Sequence, residues 1–328
     1  MRSIIYKIKM VFQQIKIVIS KIHKETNKSK LLLFLDILIC MMCYGASPNN
    51  YWYFQFYKIP RKYRKTYTTN KISQKMIKKY NNPVDIDIFE NKLIFAEKFS
   101  DMYCRSFLSA ESMTKQDFEL FCTNKEKFIL KPCGGAQGQN IKVYHINNNV
   151  DFLFDEIKEN YCNGYIIEEW IVQHPILSKI FPDAVNCLRV ITVLNNDKVE
   201  IITGGVTFSL GAEIANGSQP SIVAPVDFST GIINKPAASF GTYLYEKHPT
   251  TNAQILGVQL PYWKEILALL EKAAKHVPSV GYIGWDIAIT PTGPVLIEGN
   301  TTPGYKYYQI PAHLFDKKGN KDKYTCHL

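Results

Sequence analysis

Asp286, Glu298 and Asn300 are the residues of this 328-residue chain whose types and spacing could do the most chemistry. They lie in residues 282–304, which read as two short apolar runs, 283–289 and 295–297, joined by Thr290-Pro291-Thr292-Gly293-Pro294. Apolar alternation on either side of a Pro/Gly turn predicts a β-hairpin. Centred on Thr292, that hairpin sets Ile289 opposite Val295, Ile287 opposite Ile297 and Asp286 opposite Glu298. Directly opposed side chains lie roughly 5 Å apart, where like charges repel. Asn300, two residues beyond Glu298, falls on the same face because strand side chains alternate. Two carboxylates and an amide among apolar neighbours call for a cation, and hard oxygen ligands completed by substrate phosphates suit Mg²⁺. The competing reading is a solvent-facing hairpin whose acids point at water.

Other residues fit phosphate chemistry. The segment Phe128-Ile129-Leu130-Lys131 runs into Pro132, and a second strand is expected over residues 141–146. Between them lies Cys133-Gly134-Gly135-Ala136-Gln137-Gly138-Gln139-Asn140, a Gly-rich connection whose backbone N–H groups could approach a phosphate closely. Lys131 emerges beside it as a point charge for the same phosphates. Such a turn is a weak signal alone. Arg189 interrupts an apolar strand expected over residues 187–194 and must meet an anion there, since unpaired buried charge is costly. A structural salt bridge would serve as well.

These residues need elements to hold them. Asn82-Pro83 breaks the chain before an apolar-periodic segment, residues 86–99, that contains Lys92. Thr114 with Asp117 resembles a capping box ahead of residues 118–122. A helix is expected over 151–158, then a strand over 165–172 whose apolar run ends in Glu168, Glu169 and Trp170. Strands follow at 199–206 and 221–227, with a helix over 263–277 between Pro261 and Pro278. Residues 209–220 read as a surface loop able to close on a ligand.

Hydrophobic residues make up 46% of the chain and aromatics 13%, enough for a sizeable core and against global disorder. The net charge of +10 is unevenly placed: residues 1–80 hold 17 Lys/Arg against 2 Asp/Glu, whereas residues 81–328 hold 22 against 27. That asymmetry argues against one continuous nucleic-acid surface on the folded body. Eight cysteines show no regular framework, and Cys40-x-x-Cys43 lacks the second pair that a zinc site needs. Without a secretory signal, such cysteines point to a reducing cytosol. Residues 31–43 are too short to span a membrane and carry Asp36. Ile4, Ile8, Val11, Ile15, Val18 and Ile22 recur at spacings of three and four, which predicts an amphipathic helix with Lys7, Lys9, Lys16, Lys21 and Lys24 interspersed. It could lie on an anionic membrane, at the inner face of the cell membrane, or pack on its own domain. The basic run Arg61-Lys62-Tyr63-Arg64-Lys65 with its tyrosines could grip nucleic acid, or belong to a helical cap.

Taken in order, Asn91-Lys92-Leu93, Lys131-Pro132 with its Gly-rich loop, Ile167-Glu168-Glu169-Trp170-Ile171, and Gly284-Trp285-Asp286 with Leu296-Ile297-Glu298-Gly299-Asn300 resemble an ATP-grasp enzyme over residues 85–310. Tyr44-Gly45-Ala46-Ser47-Pro48 and Asn186-Cys187-Leu188-Arg189-Val190 look closer still to the sugar-transfer associated branch. The resemblance implies an α+β (α/β) fold of two lobes clasping ATP, here residues 81–172 and 173–328, behind a basic helical extension over residues 1–80. It implies that Lys92 and Lys131 hold the α- and β-phosphates, under a flap containing Gly134, Gly135 and Gly138. Glu168 would receive the adenine amino group, with Glu169 beside it and backbone groups at Trp170 and Ile171 bracketing the adenine edge. His174 and Gln173 are the candidates nearest the ribose. Asp286, Glu298 and Asn300 would hold two Mg²⁺ ions, or Mn²⁺, and Arg189 would face the γ-phosphate or the transferred group.

The chemistry so implied is an ATP-dependent carboxylate–amine ligase working through an acyl phosphate on a small-molecule or sugar-linked carboxylate, in bacterial surface polysaccharide biosynthesis. A kinase of the same fold acting on a sugar or glycolipid, and a non-catalytic nucleotide-binding protein, are the alternatives.

Overall fold

The computed structural model describes residues 2–135, 140–146, 149–211, 220–239 and 243–328, the side chains of 2–5 and 7 excepted. The chain forms two compact units. One comprises Tyr80–Ala237 with Tyr245–Pro303, and the other Met1–Lys79, Ala238–Leu244 and Gly304–Leu328.

In the first of these units, strands β1 (Phe107–Ser109), β2 (Lys127–Pro132), β3 (Lys142–His145) and β4 (Tyr165–Glu169) make a four-stranded sheet in the order β1-β4-β2-β3. Neighbours pair antiparallel, with Leu130 opposite Ile167 and Lys131 opposite Ile166. One face of this sheet is apolar: Phe128, Leu130 and Ile167 pack with Phe118 and Phe121 of the helix Lys115–Cys122 and with Ile157 of the helix Val150–Tyr161. The expected capping box is present. Thr114 Oγ1 accepts from the Asp117 N–H at 3.2 Å while the Asp117 carboxylate accepts from the Thr114 N–H at 2.9 Å. Because strand side chains alternate, Ile129, Lys131, Ile166 and Glu168 face the other way.

A larger sheet carries β5 (Cys187–Asn195), β6 (Lys198–Ser209), β7 (Ser221–Asp227), β8 (Tyr282–Thr290) and β9 (Gly293–Asn300), adjacent in the order β7-β6-β5-β8-β9. Leu188, Val190, Ile283, Trp285, Ile287, Ile289 and Leu296 of this sheet share a core with Ile266, Leu270, Ala273 and Ala274 of the helix Trp263–His276. Phe89, Phe95 and Phe99 join it, with Phe99 and Trp285 ring centroids 5.8 Å apart. The expected helix over 86–99 is divided into Asp87–Glu90 and Lys92–Lys98. Asn91 leaves the helical region between them and its side chain caps the second piece, accepting from the Leu93 N–H at 3.0 Å.

The β8–β9 hairpin differs in register from the expectation. Its turn is only Pro291-Thr292, with Thr290 opposite Gly293, Ile289 opposite Pro294 and Ile287 opposite Leu296. Gly293 takes φ 140°, a conformation that side chains with a Cβ rarely adopt. The register then shifts between Asp286 and Ile287, and Asp286 does face Glu298. Ile297 is the extra residue of a β-bulge, which turns Glu298 to the face opposite Leu296. The open end of the hairpin is pinned by Asn81, whose side chain bonds the backbone of Tyr282 in both directions and donates to the Thr301 carbonyl at 3.0 Å.

The other unit begins with helices α1 (Arg2–Thr26) and α2 (Lys30–Tyr44). Ile15, Val18 and Ile22 of α1 are buried, so the C-terminal half of the expected stripe packs within its own unit, whereas Ile8 is exposed. Asp36 of α2 accepts from Tyr51 Oη at 2.7 Å and from Arg64 Nη1 at 2.8 Å. Residues 304–328 complete this unit. Tyr305 Oη donates to Asn70 at 2.9 Å, Gln309 accepts from the Thr68 N–H at 2.9 Å, and the Gly319 N–H donates to Thr66 Oγ1 at 2.9 Å. Among the described residues no helix is long and apolar enough to cross a membrane, and all eight cysteines are free.

Candidate active site

A row of side chains crosses the larger sheet. Gly205 on β6 pairs with Arg189 on β5, Arg189 with Asp286 on β8, and Asp286 with Glu298 on β9. Their neighbours Leu188, Val190, Trp285 and Ile287 point into the core, so alternation leaves Arg189 and Asp286 together on the opposite face. Arg189 grips both oxygens of Asp286: Nε donates at 2.5 Å and Nη2 to the second oxygen. This is the bidentate fork that guanidinium and carboxylate geometry favours. Asn300 Nδ2 donates to Glu298 Oε1 at 3.3 Å and lies opposite Gly284 in register. The structure thus brings Asp286, Glu298, Asn300 and Arg189 onto one face.

Glu298 has no ion pair of its own among the described residues. Burial pushes its carboxyl pKa up, and the facing Asp286 pushes it further, against the pull of Arg189 and Lys131. A divalent cation between the two acids would reverse that bias. The donor set is oxygen only, two carboxylates and an amide, which fits Mg²⁺. Among the described residues no three His, Cys, Asp or Glu side chains cluster as a metal site, so the set depends on Asn300 as its third member.

The smaller sheet supplies the second cluster. Lys131 Nζ lies 2.7 Å from Glu168 Oε1, and Arg105 Nη2 lies 2.9 Å from Glu168 Oε2. Glu168 is 1% exposed. Burial works to raise its pKa, but the cations Lys131 and Arg105 outweigh it and hold the carboxyl at about 2. Burial lowers the Lys131 ammonium, with Glu168 opposing and Arg105 reinforcing the shift. Arg105 also donates through Nη1 to the Leu296 carbonyl at 2.7 Å and lies over the Tyr103 ring, 3.3 Å from its centroid. It therefore links the β4 acid to the hairpin that carries Glu298. Sequence reasoning missed Arg105. Its only signal was a charge immediately before the short strand β1, which nothing distinguished from a surface arginine.

The remaining sequence-derived residues are placed as follows. Lys92 is the first residue of its helix; its N–H donates to the Cys133 carbonyl at 2.8 Å and its Nζ to the Gly135 carbonyl at 3.0 Å, so it reaches the Gly-rich connection. Around Gly134 and Gly135 an added Cβ would meet nothing within 4 Å; Gly138 lies outside the described residues. Glu169 accepts from the Ser106 hydroxyl at 2.7 Å and so ties β4 to the segment entering β1. Trp170 and Ile171 follow β4, which ends at Glu169 rather than at 172, and Lys127 Nζ sits 3.9 Å from the Trp170 ring centroid. His174 is not turned to a ligand through Nδ1: that atom accepts from the Ile176 N–H at 3.2 Å and caps the helix Pro175–Ile180. Gln173 is buried, donating to the Phe181 and Ala184 carbonyls at 2.8 Å and accepting from Asn186, which leaves it little capacity for a ribose. The loop expected over 209–220 lies largely outside the described residues.

Two antiparallel sheets, one bearing a buried lysine beside a Gly-rich connection and the other a hairpin of two acids and an asparagine, define an ATP-grasp fold. The chain belongs to the sugar-transfer associated ATP-grasp family, whose model matches residues 71–317. No curated protein matches the sequence. Solved structures similar to it include the ATP-grasp ligase PsnB complexed with a phosphomimetic variant of its minimal precursor, Mg and ADP, at 14% identity and TM-score 0.41, over 69% of this chain and 53% of that one. D-alanyl-alanine synthetase A from Vibrio cholerae is 14% identical with TM-score 0.40 over 69% of this chain and 60% of its own. An L-amino acid ligase from Bacillus licheniformis is 12% identical with TM-score 0.40, over 68% and 43%. This chain spans about half the length of these three proteins.

Proposed function

We propose that the protein is an ATP-dependent ligase that activates a carboxylate and joins it to an amine, with a sugar acid or amino acid of a surface polysaccharide as the substrate class. The observation that carries this reading is the row Arg189–Asp286–Glu298 with Asn300, set on one face of the larger sheet. In it, Asp286, Glu298 and Asn300 would hold Mg²⁺, which when bound neutralises phosphate charge. Lys131 and Lys92 would meet the α- and β-phosphates beside Gly134 and Gly135. Arg189, already aimed at an anion, would exchange Asp286 for the γ-phosphoryl group. Glu168 keeps Lys131 charged and oriented in a buried place, a positioning role that takes precedence over the adenine contact expected of it.

The reaction is written as two displacements. A substrate carboxylate oxygen bonds to the γ-phosphorus as the bond to the β-bridging oxygen breaks, giving an acyl phosphate and ADP. The amine then bonds to the acyl carbon, phosphate departs with the electron pair of the C–O bond, and the amine loses a proton. Neither displacement requires a covalent enzyme nucleophile. The chain's task is positioning and charge neutralisation.

The test is a screen of uronic acids and amino acids for substrate-dependent ADP release, with hydroxylamine present to trap the acyl phosphate as a hydroxamate. Hydroxamate formation supports the ligase. ADP release with a stable phosphorylated sugar and no hydroxamate would replace it with the kinase, and nucleotide binding without release under any substrate would leave a binding protein.

A further inference from the structure

Helix α2 leaves an apolar face uncovered, as α1 does at Tyr6, Ile8, Met10, Phe12 and Ile17. Leu31, Leu32, Leu35 and Met42 are 67%, 66%, 47% and 74% exposed. At 3.6 residues per turn, Leu31, Leu35 and Met42 fall within about 40° of one another, with Leu32 on the flank. No charge interrupts this face. The single charge within the helix after Lys30, Asp36, is turned to Arg64 and Tyr51, and the inward side is formed by Leu33, Ile37 and Cys40.

Beside the C-terminal end of α2 lies a cleft of about 300 Å³ lined by Cys43, Tyr44, Lys65, Tyr67, Ile72, Lys71, Lys75 and Lys321. Cys43 and Tyr44 follow Met42 directly, so the cleft continues from the apolar face. None of its four lysines has an acidic partner within ion-pair distance among the described residues. Tyr67, whose ring forms part of the same wall, has a buried hydroxyl with no hydrogen-bond partner among the described residues. Four ammonium groups without acidic partners suit the phosphate of an anionic headgroup.

We propose that this unit docks on an anionic phospholipid surface, with the outward face of α2 in the headgroup–acyl boundary and a lipid phosphate in the four-lysine cleft. Charge complementarity selects that occupant: residues 1–80 carry 17 Lys/Arg and 2 Asp/Glu, and anionic lipid attracts such a section. At 15 residues, α2 is short of the roughly 20 needed to span, so it lies along the surface. The docking is independent of the ligase reading, since it involves none of the residues assigned to the nucleotide.

Flotation of the full chain tests it, with vesicles of phosphatidylcholine alone and with about 30% phosphatidylglycerol. The wild type floats with the anionic vesicles and stays down with the neutral ones. Leu31→Asp with Leu35→Asp, at exposed positions where folding is checked by circular dichroism, reduces recovery about tenfold. Lys65→Gln, Lys71→Gln, Lys75→Gln and Lys321→Gln together do the same. Inorganic phosphate titrated without vesicles separates the sources: binding only at high concentration supports the lipid headgroup, whereas tight phosphate binding with no flotation overturns the docking. Flotation that survives the two Asp substitutions, or a concentration-dependent dimer that they abolish, overturns it as well.

Discussion

Glu298 is the residue at which the proposed Mg²⁺ site should respond to pH. Burial and Asp286 hold its pKa above the ordinary carboxylate value, and a metal ligand must be deprotonated. The sign follows. As pH falls, Glu298 takes up its proton at a higher pH than an ordinary carboxylate, so Mg²⁺-dependent nucleotide binding weakens earlier than usual. A fluorescent ATP analogue titrated as the pH is lowered will show that loss, and Glu298→Gln will bind weakly at every pH with a flattened profile. Asp286→Asn and Glu298→Gln should each reduce ADP release by about a hundredfold or more, equivalent to roughly 3 kcal/mol of transition-state stabilisation at 1.4 kcal/mol per tenfold. Unchanged turnover would place catalysis elsewhere. Arg105 belongs to a different category, since it acts on Glu168 and the Leu296 carbonyl. With side chains 4% and 1% exposed, Arg105 and Glu168 form a buried pair, and Arg105→Met leaves the acid with one cation. About 3–5 kcal/mol of stability should be lost, read from urea unfolding. The acid limb should move too. The wild-type Glu168 contribution is full above the ordinary carboxylate value and is lost as pH falls towards about 2, whereas in Arg105→Met the loss is smaller and is complete at a higher pH.

The hairpin and the sheets show which elements can be read from local pattern. Residues 221–227 and the start of the helix at Trp263 match the structure because alternation and a flanking proline are local signals. The Asp286–Glu298 pairing was also legible, yet for a reason that sequence could not supply. The tighter turn displaces the register by one residue, and the bulge at Ile297 restores it. Lys131 and Glu168 were legible as charges in apolar strands, but not as partners, because their diagonal contact depends on how β2 pairs with β4 across 37 residues of sequence. Gly204 and Gly205 gave no functional signal either, although they sit beside Arg189 in the sheet. A Cβ on Gly205 would stand 2.5 Å from the Ala224 carbonyl oxygen. That oxygen belongs to the backbone of β7 and cannot yield as a side chain would. Gly205→Ala should therefore cost about 1–3 kcal/mol, and because Gly205 pairs with Arg189, nucleotide affinity should fall along with the melting temperature. A variant of normal stability and affinity would show that β6 and β7 can part without disturbing the row.

The charge asymmetry suggested a boundary near residue 80, with a basic extension ahead of an enzyme body. Contacts within the basic unit give a different partition, because its interior is completed by the far end of the chain. Tyr305, Tyr308, Gln309, His313 and Tyr324 are buried. Their segment is fastened by Gln309 to both backbone groups of Thr68, by Gly319 to Thr66, and by Lys79 to the His327 carbonyl. Hydrophobic and charge patterning are read along the chain, so neither could report that residues 304–328 answer to residues 1–79. The consequence concerns any attempt to separate the two. A chain beginning near Asn81 keeps the hairpin and its acids but strands residues 304–328 without the groups that satisfy them, exposing several aromatic side chains and the buried amide of Gln309. Such exposure favours aggregation, and unpaired buried polar groups each cost about 1–3 kcal/mol. Limited proteolysis should cut the shortened chain after the hairpin, within residues 304–328, under conditions where the full chain resists. Removing residues 304–328 as well should restore resistance to the remaining body outside residues 238–244, since apart from that short segment what is left belongs to one compact unit with its own core. Equal resistance of the full chain and the chain begun at Asn81 would mean that the terminal segment holds its shape alone.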